Sequence, residues 1–104
     1  MAKLIGFQED CVYKGYSGTI GIFNQVIRKS KDEKPYILRV LRRMPWGMLM
    51  VYIEDPMLRT DKDDSPEWAK VYVVRIEKGE TEKGTPCEYI RFSGRIFTAS
   101  REVD

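Results

Sequence analysis

Acid–base and nucleophilic chemistry lean first on histidine, and this chain of 104 residues contains none. Every mechanism built on an imidazole base, a histidine metal ligand or a histidine pH switch is thereby excluded. A nucleophile would have to be Cys11, Cys87 or a serine activated by lysine or a carboxylate, and no spacing in the chain singles out such a pair. Cys11 follows Asp10, whose charge disfavours the thiolate, so it reads as a small buried hydrophobe. Sixteen acidic residues make paired-carboxylate chemistry uninformative, because some pair will always meet. No catalytic residue and no cofactor is implied.

Two other patterns invite a ligand. Asp61, Asp63 and Asp64 are spaced for a hard cation, but counting from Asp61 places Pro66 where a calcium loop needs glycine and Tyr72 where it needs glutamate. The segment reads as a solvated acidic loop with no metal site. Gly15, Gly18 and Gly21 recur every third residue, as a phosphate cradle at a helix start would; no Lys-Ser or Lys-Thr follows, and the simpler reading is that the glycines open the helix and allow close packing on a sheet.

Macromolecular recognition has better material. Trp46, Met48, Met50 and Tyr52 form the alternate face of one strand and its turn, beside Arg39, Arg42 and Arg43. Trp, Tyr, Met and Arg are the types enriched at interface cores, so these seven residues are the candidate partner-binding set. A wider set of Tyr36, Tyr72, Tyr89, Arg75, Arg91 and Arg95 mixes rings with guanidinium groups in the way single-stranded nucleic acid is bound.

Positioning these residues requires a scaffold, and 104 residues supply one domain with one core. Residues 3–8 and 11–14 read as a strand or short hairpin. Residues 17–30, plotted at 100° per residue, gather Thr19, Ile20, Ile22, Phe23, Val26 and Ile27 on one side, which predicts an amphipathic helix capped by Ser17. Residues 35–44 fit strand slightly better than helix. Residues 48–54 alternate strictly, Leu49, Val51 and Ile53 against Met48, Met50 and Tyr52, and pair with 35–44 through the turn Pro45-Trp46-Gly47. The alternation points Leu49, Val51 and Ile53 at the core. Two more β-rich segments, 68–77 and 88–98, are joined by a reversal at 78–87, Gly94 marks a bulge or bend, and the tail from Ser100 frays. The expected fold is α+β, an antiparallel sheet of about five strands with helix 17–30 on one face; the alternative is a small all-β barrel in which 18–29 is a strand.

The net charge of +2 hides an asymmetry. Arg28, Lys29, Lys31, Lys34, Arg39, Arg42 and Arg43 outweigh Asp32 and Glu33 in one segment, while in residues 54–67 six acidic residues outweigh two basic ones. The basic segment favours an acidic partner. No apolar run approaches the length of a membrane span, and no secretory signal precedes the first strand, so a cytosolic setting is expected. The resulting expectation is a non-catalytic module that occupies the surface of a macromolecular partner. A protein is favoured, as for a virus- or plasmid-encoded inhibitor of a host system. The alternative is a single-stranded nucleic-acid binder using Arg and Tyr on a sheet face.

Overall fold

Nine residues, Val12–Ile20, form one long strand where a helix was expected to begin, and the glycines explain why. The computed structural model describes residues 3–28, 33–55 and 69–99 and the backbone of 102–103. Its strands are β1 (Lys3–Leu4), β2 (Val12–Ile20), β3 (Gln25–Arg28), β4 (Tyr36–Met44), β5 (Met48–Glu54), β6 (Ala69–Arg75), β7 (Glu77–Thr81), β8 (Pro86–Phe92), β9 (Arg95–Ala99) and β10 (Glu102–Val103). No α-helix occurs among the described residues, so the α+β expectation is overturned and the small all-β barrel replaces it.

The predicted helix 17–30 is instead a hairpin in which Gly18, Thr19 and Ile20 pair with Arg28, Ile27 and Val26. A side chain at Gly18 would place its Cβ 2.6 Å from the Ile27 carbonyl oxygen, so the strands approach this closely only with glycine there. The reversal is a single 3₁₀ turn, Ile22–Asn24, closed by the Gly21 N–H donating to the Gln25 carbonyl at 2.8 Å, with Phe23 and Asn24 at positive φ. Ile22 and Phe23, counted in the apolar stripe, are 77% and 86% exposed at the hairpin tip. β-Branched Thr19, Ile20, Val26 and Ile27 favour strands, and that preference together with two glycines outweighs an apparent 3.6-residue period.

Five strands close on themselves. β2 pairs with β3, β7 with β8, β8 with β9 and β9 with β2, all antiparallel, while β3 and β7 run parallel through Gln25↔Glu80 and Val26↔Thr81. Closure removes the free edges that a five-strand sheet would otherwise carry. The N-terminal half of β2 also pairs with β4, and β4–β5–β6 extend from it as an antiparallel meander.

β8 and β9 belong to both parts and are buried on both faces. Cys87, Tyr89 and Ile96 join Val26 in the barrel core, while Ile90, Phe97 and Ala99 point the other way onto Leu38, Val40, Leu49, Val51, Ile53 and Phe7. Burial pushes the Cys87 thiol and the Tyr89 phenol above their ordinary ranges. Cys11, expected to be buried, is exposed. The expected hairpin between 68–77 and 88–98 is also corrected: β6 pairs with β5, β7 and β8 form the hairpin, and the bulge or bend expected at Gly94 is a full reversal, a two-residue turn of Ser93 and Gly94, both at positive φ. Of the two readings of 3–8 and 11–14, the strand is found at Lys3–Leu4 and from Val12 and the hairpin is not formed, and the tail does not simply fray, since β1 pairs with β10.

The stretch after β1 is held by a buried carboxylate. Glu88 accepts the Phe7 N–H at 2.8 Å and an Arg43 Nη1–H at 3.1 Å, and Arg43 also donates to the Phe7 carbonyl at 2.6 Å. Gly6, at φ +74°, lies so close that a Cβ would be 1.9 Å from the Glu88 carboxylate. Arg43→Ala leaves that carboxylate without its cation and should destabilise the protein by about 2 kcal/mol, measured by urea denaturation, whereas an exposed arginine changes stability by about 0.5 kcal/mol or less.

A second anchor fixes the approach to β4. Glu33 accepts from the Ser17 backbone N–H, from the Ser17 hydroxyl at 2.8 Å and from Arg95, whose guanidinium lies 4.7 Å over the Tyr36 ring. Desolvation pushes the Glu33 carboxyl up, but the hydrogen bonds from Ser17 and the charge of Arg95 prevail and hold it below the usual carboxylate range. A depressed folded-state pKa contributes stability that is present above the ordinary glutamate range and lost as pH falls through the depressed value. The Tm of the parent should therefore fall more steeply between about pH 4.5 and 3 than that of Glu33→Gln.

Candidate nucleic-acid interface

One face of the β2–β4–β5–β6 meander packs on the core, and the other carries the functional candidates. Register sets its rows: Val12, Arg39, Tyr52 and Val71 lie side by side, then Arg42, Met50 and Val73, then Met44, Met48 and Arg75. Lys14, Ile37 and Glu54 form the row at the opposite end. Trp46 stands 89% exposed at the tip of the β4–β5 turn, where it and Gly47 adopt positive φ. Val71 and Val73 are 56% and 52% exposed, on a strand whose outer edge is unpaired among the described residues.

The sequence reading of β5 is matched here: Leu49, Val51 and Ile53 are buried, and Met48, Met50 and Tyr52 are half-buried on the outer face. Of the seven partner-binding candidates, Arg39, Arg42, Trp46, Met48, Met50 and Tyr52 come together. Arg43 does not. A register shift between Val40 and Arg42 leaves Leu41 as an extra residue, so Arg42 joins Arg39 while Arg43 turns inward to Glu88. Plain alternation places Arg39 with Arg43 instead, and nothing in the local sequence marks the bulge.

Four cations, Lys14, Arg39, Arg42 and Arg75, surround Tyr52 and the exposed valines, with Glu54 the one carboxylate in these rows. No ion pair among the described residues engages any of the four. A cavity of about 140 Å³ lies between Val12, Ile37, Arg39, Tyr52 and Glu54. Cations around exposed rings and apolar side chains suit a polyanion that carries flat, apolar groups. Val12, Lys14, Val71 and Val73 escaped the sequence reading. Alternation within 69–75 was the available signal for the two valines, since Val71, Val73 and Arg75 share a parity.

The wider Arg and Tyr set disperses. Tyr89 lies inside the barrel, Tyr72 packs on Phe92 with ring centroids 4.6 Å apart, Arg91 makes a forked pair with Glu77 at 2.8 and 2.9 Å, and Arg95 is held by Glu33. Gly15, Gly18 and Gly21 sit in β2 and its turn rather than before a helix, and a Cβ on Gly15 would lie 2.6 Å from the Phe97 ring. Asp61, Asp63 and Asp64, like Lys29 and Lys31, lie outside the described residues. Among the described residues no group of three or more potential ligands is placed to hold a metal ion, and no helix is long and apolar enough to cross a membrane. Compared with family models, with curated proteins and with solved structures, the chain finds no match, so its function is argued from this geometry alone.

Proposed function

We propose that the protein binds single-stranded nucleic acid, in the cytosol, on the outer face of β2, β4, β5 and β6. One observation carries the reading: Arg39, Arg42, Arg75 and Lys14 converge, free of ion pairs among the described residues, on a sheet face that also presents Tyr52 and, at its tip, Trp46. Guanidinium and ammonium groups neutralise phosphates, the two rings give unpaired bases a stacking surface, and the half-buried methionines and exposed valines cover the sugars. A duplex hides its base faces, so it gains only the charge contribution. Catalysis has no part in this reading, and two unpaired cysteines suit a reducing compartment.

Fluorescence anisotropy with a labelled 12-nucleotide single strand and the matching duplex tests it. The single strand should bind more tightly than the duplex, and Trp46→Ala and Tyr52→Ala should each weaken it by about 1–2 kcal/mol while leaving the urea midpoint nearly unchanged. Equal binding of both forms, or indifference to both substitutions, contradicts the reading. Exposed Val71 and Val73, on an edge unpaired among the described residues, favour a second reading, an acidic protein partner docked on the same face. Partner capture that survives nuclease treatment and is abolished by Val73→Lys would support that reading instead.

A further inference from the structure

Each row of the outer face carries one cation, and the β-strand that supplies it changes along the sheet. Arg75 of β6 stands in the row of Met44 and Met48, Arg42 of β4 in the row of Met50 and Val73, Arg39 of β4 in the row of Tyr52 and Val71, and Lys14 of β2 in the row of Ile37 and Glu54. All four are exposed. The second place in the series exists because of the bulge, since unbroken alternation along β4 sets Leu41 rather than Arg42 opposite Met50. The four cations trace a diagonal from the end of β6, beside the β4–β5 turn, to the start of β2. Rows lie about 6.7 Å apart and β-strands about 4.8 Å, so three steps in each direction give a diagonal of about 25 Å.

We infer that the nucleic-acid strand crosses the sheet along this diagonal, extended and unstacked, with one phosphate at each of Arg75, Arg42, Arg39 and Lys14, an inference that rests on the nucleic-acid reading above. Four phosphates join five nucleosides, which sets the footprint. A stacked strand advances about 3.4 Å per nucleotide, half a row, so its phosphates and the cations fall out of step. An extended strand advances about twice that, and its four phosphates span about 20 Å. The long Lys14 and Arg75 side chains, leaning inward from the two ends of the diagonal, close the difference. Other directions meet fewer cations. A strand at right angles to the β-strands meets a single one, and one running straight along β5 and β6 meets Arg75 alone and then the Glu54 carboxylate. On the diagonal Glu54 stands two β-strands away from Lys14, on the side of the bases, with Tyr52 beside Arg39 and Trp46 past Arg75 to receive them.

Two measurements test the path separately from the face. In anisotropy titrations of labelled oligothymidines two to ten nucleotides long at 50 mM salt, affinity should rise with each nucleotide up to five and then level off. The five-nucleotide strand should show a slope of log affinity against log salt of about 2.8 in magnitude, from four phosphates at about 0.7 each. Lys14→Ala should weaken that strand about fivefold and lower the slope by about 0.7, while a three-nucleotide strand, whose two phosphates the arginines meet, stays within about twofold. In the second measurement a nitroxide is placed on either end of the five-nucleotide strand and amide broadening is read by NMR. One label should broaden Lys14 more than Ala69, its row mate on β6, and the other should broaden Arg75 more than Met44, its row mate on β4. Affinity that levels off at two or three nucleotides, affinity that climbs evenly to ten, or Ala69 broadened more than Lys14 overturns the diagonal path and leaves the face standing. No binding at any length overturns the face, and the path with it.

Discussion

Removing three guanidinium groups from the outer face, Arg39→Ala with Arg42→Ala and Arg75→Ala, is expected to weaken single-strand binding by about 100-fold near 0.1 M salt. Each phosphate neutralised on a single strand contributes about 0.7 to the slope of log affinity against log salt, so three lost contacts flatten that slope by about 2. None of the three arginines packs in the core or pairs with a carboxylate among the described residues, and the urea midpoint should barely move. Anisotropy titrations at 50, 100 and 200 mM salt read both quantities. An unchanged slope would mean that these arginines are merely solvated.

The second large effect concerns adjacent residues with opposite roles. Leu49 is fully buried in the same core cluster as Val40, Val51 and Phe97, so Leu49→Ala should destabilise the protein by about 2–5 kcal/mol through lost burial and the cavity left behind. Met50, one residue on, lies between Arg42 and Val73 on the outer face, and Met50→Ala should cost well under half of that while weakening strand binding. Paired urea melts and binding titrations check both. If Met50→Ala unfolds the protein as readily as Leu49→Ala, that face is core and cannot receive a ligand.

These two residues also show what was legible in the sequence. Strict alternation over 48–54 carries both the strand and the identity of its buried face, because a period of two in a half-buried strand has one reading. Residues 17–30 carried two. Their apolar spacing satisfied a helix, while the facts that decide against it, the close approach of Ile27 to Gly18 and the turn at Phe23 and Asn24, arise only when the hairpin forms. Arg43 shows the same limit at the site. Its sequence neighbours Arg39 and Arg42 lie on the outer face, and only the bulge at Leu41 and the distant Glu88 set it on the other. The double burial of β8 was invisible for a related reason: the core residues that cover its second face, Leu38, Val40, Leu49, Val51 and Ile53, come from β4 and β5, more than thirty positions earlier.

The central claim, that nucleic acid lies on the outer face, is tested most directly by an amide ¹H–¹⁵N NMR titration with an unlabelled 12-nucleotide single strand at 50 mM salt. Shifts should cluster at Val12, Lys14, Arg39, Arg42, Met50, Tyr52, Val71, Val73 and Arg75, with the Trp46 indole N–H among the largest. Val26, Ile96 and Tyr89 of the barrel core should stay in place. Shifts confined to the barrel mouth around Arg28, Thr81 and Lys83, or none at all at a tenfold excess of strand, would contradict it.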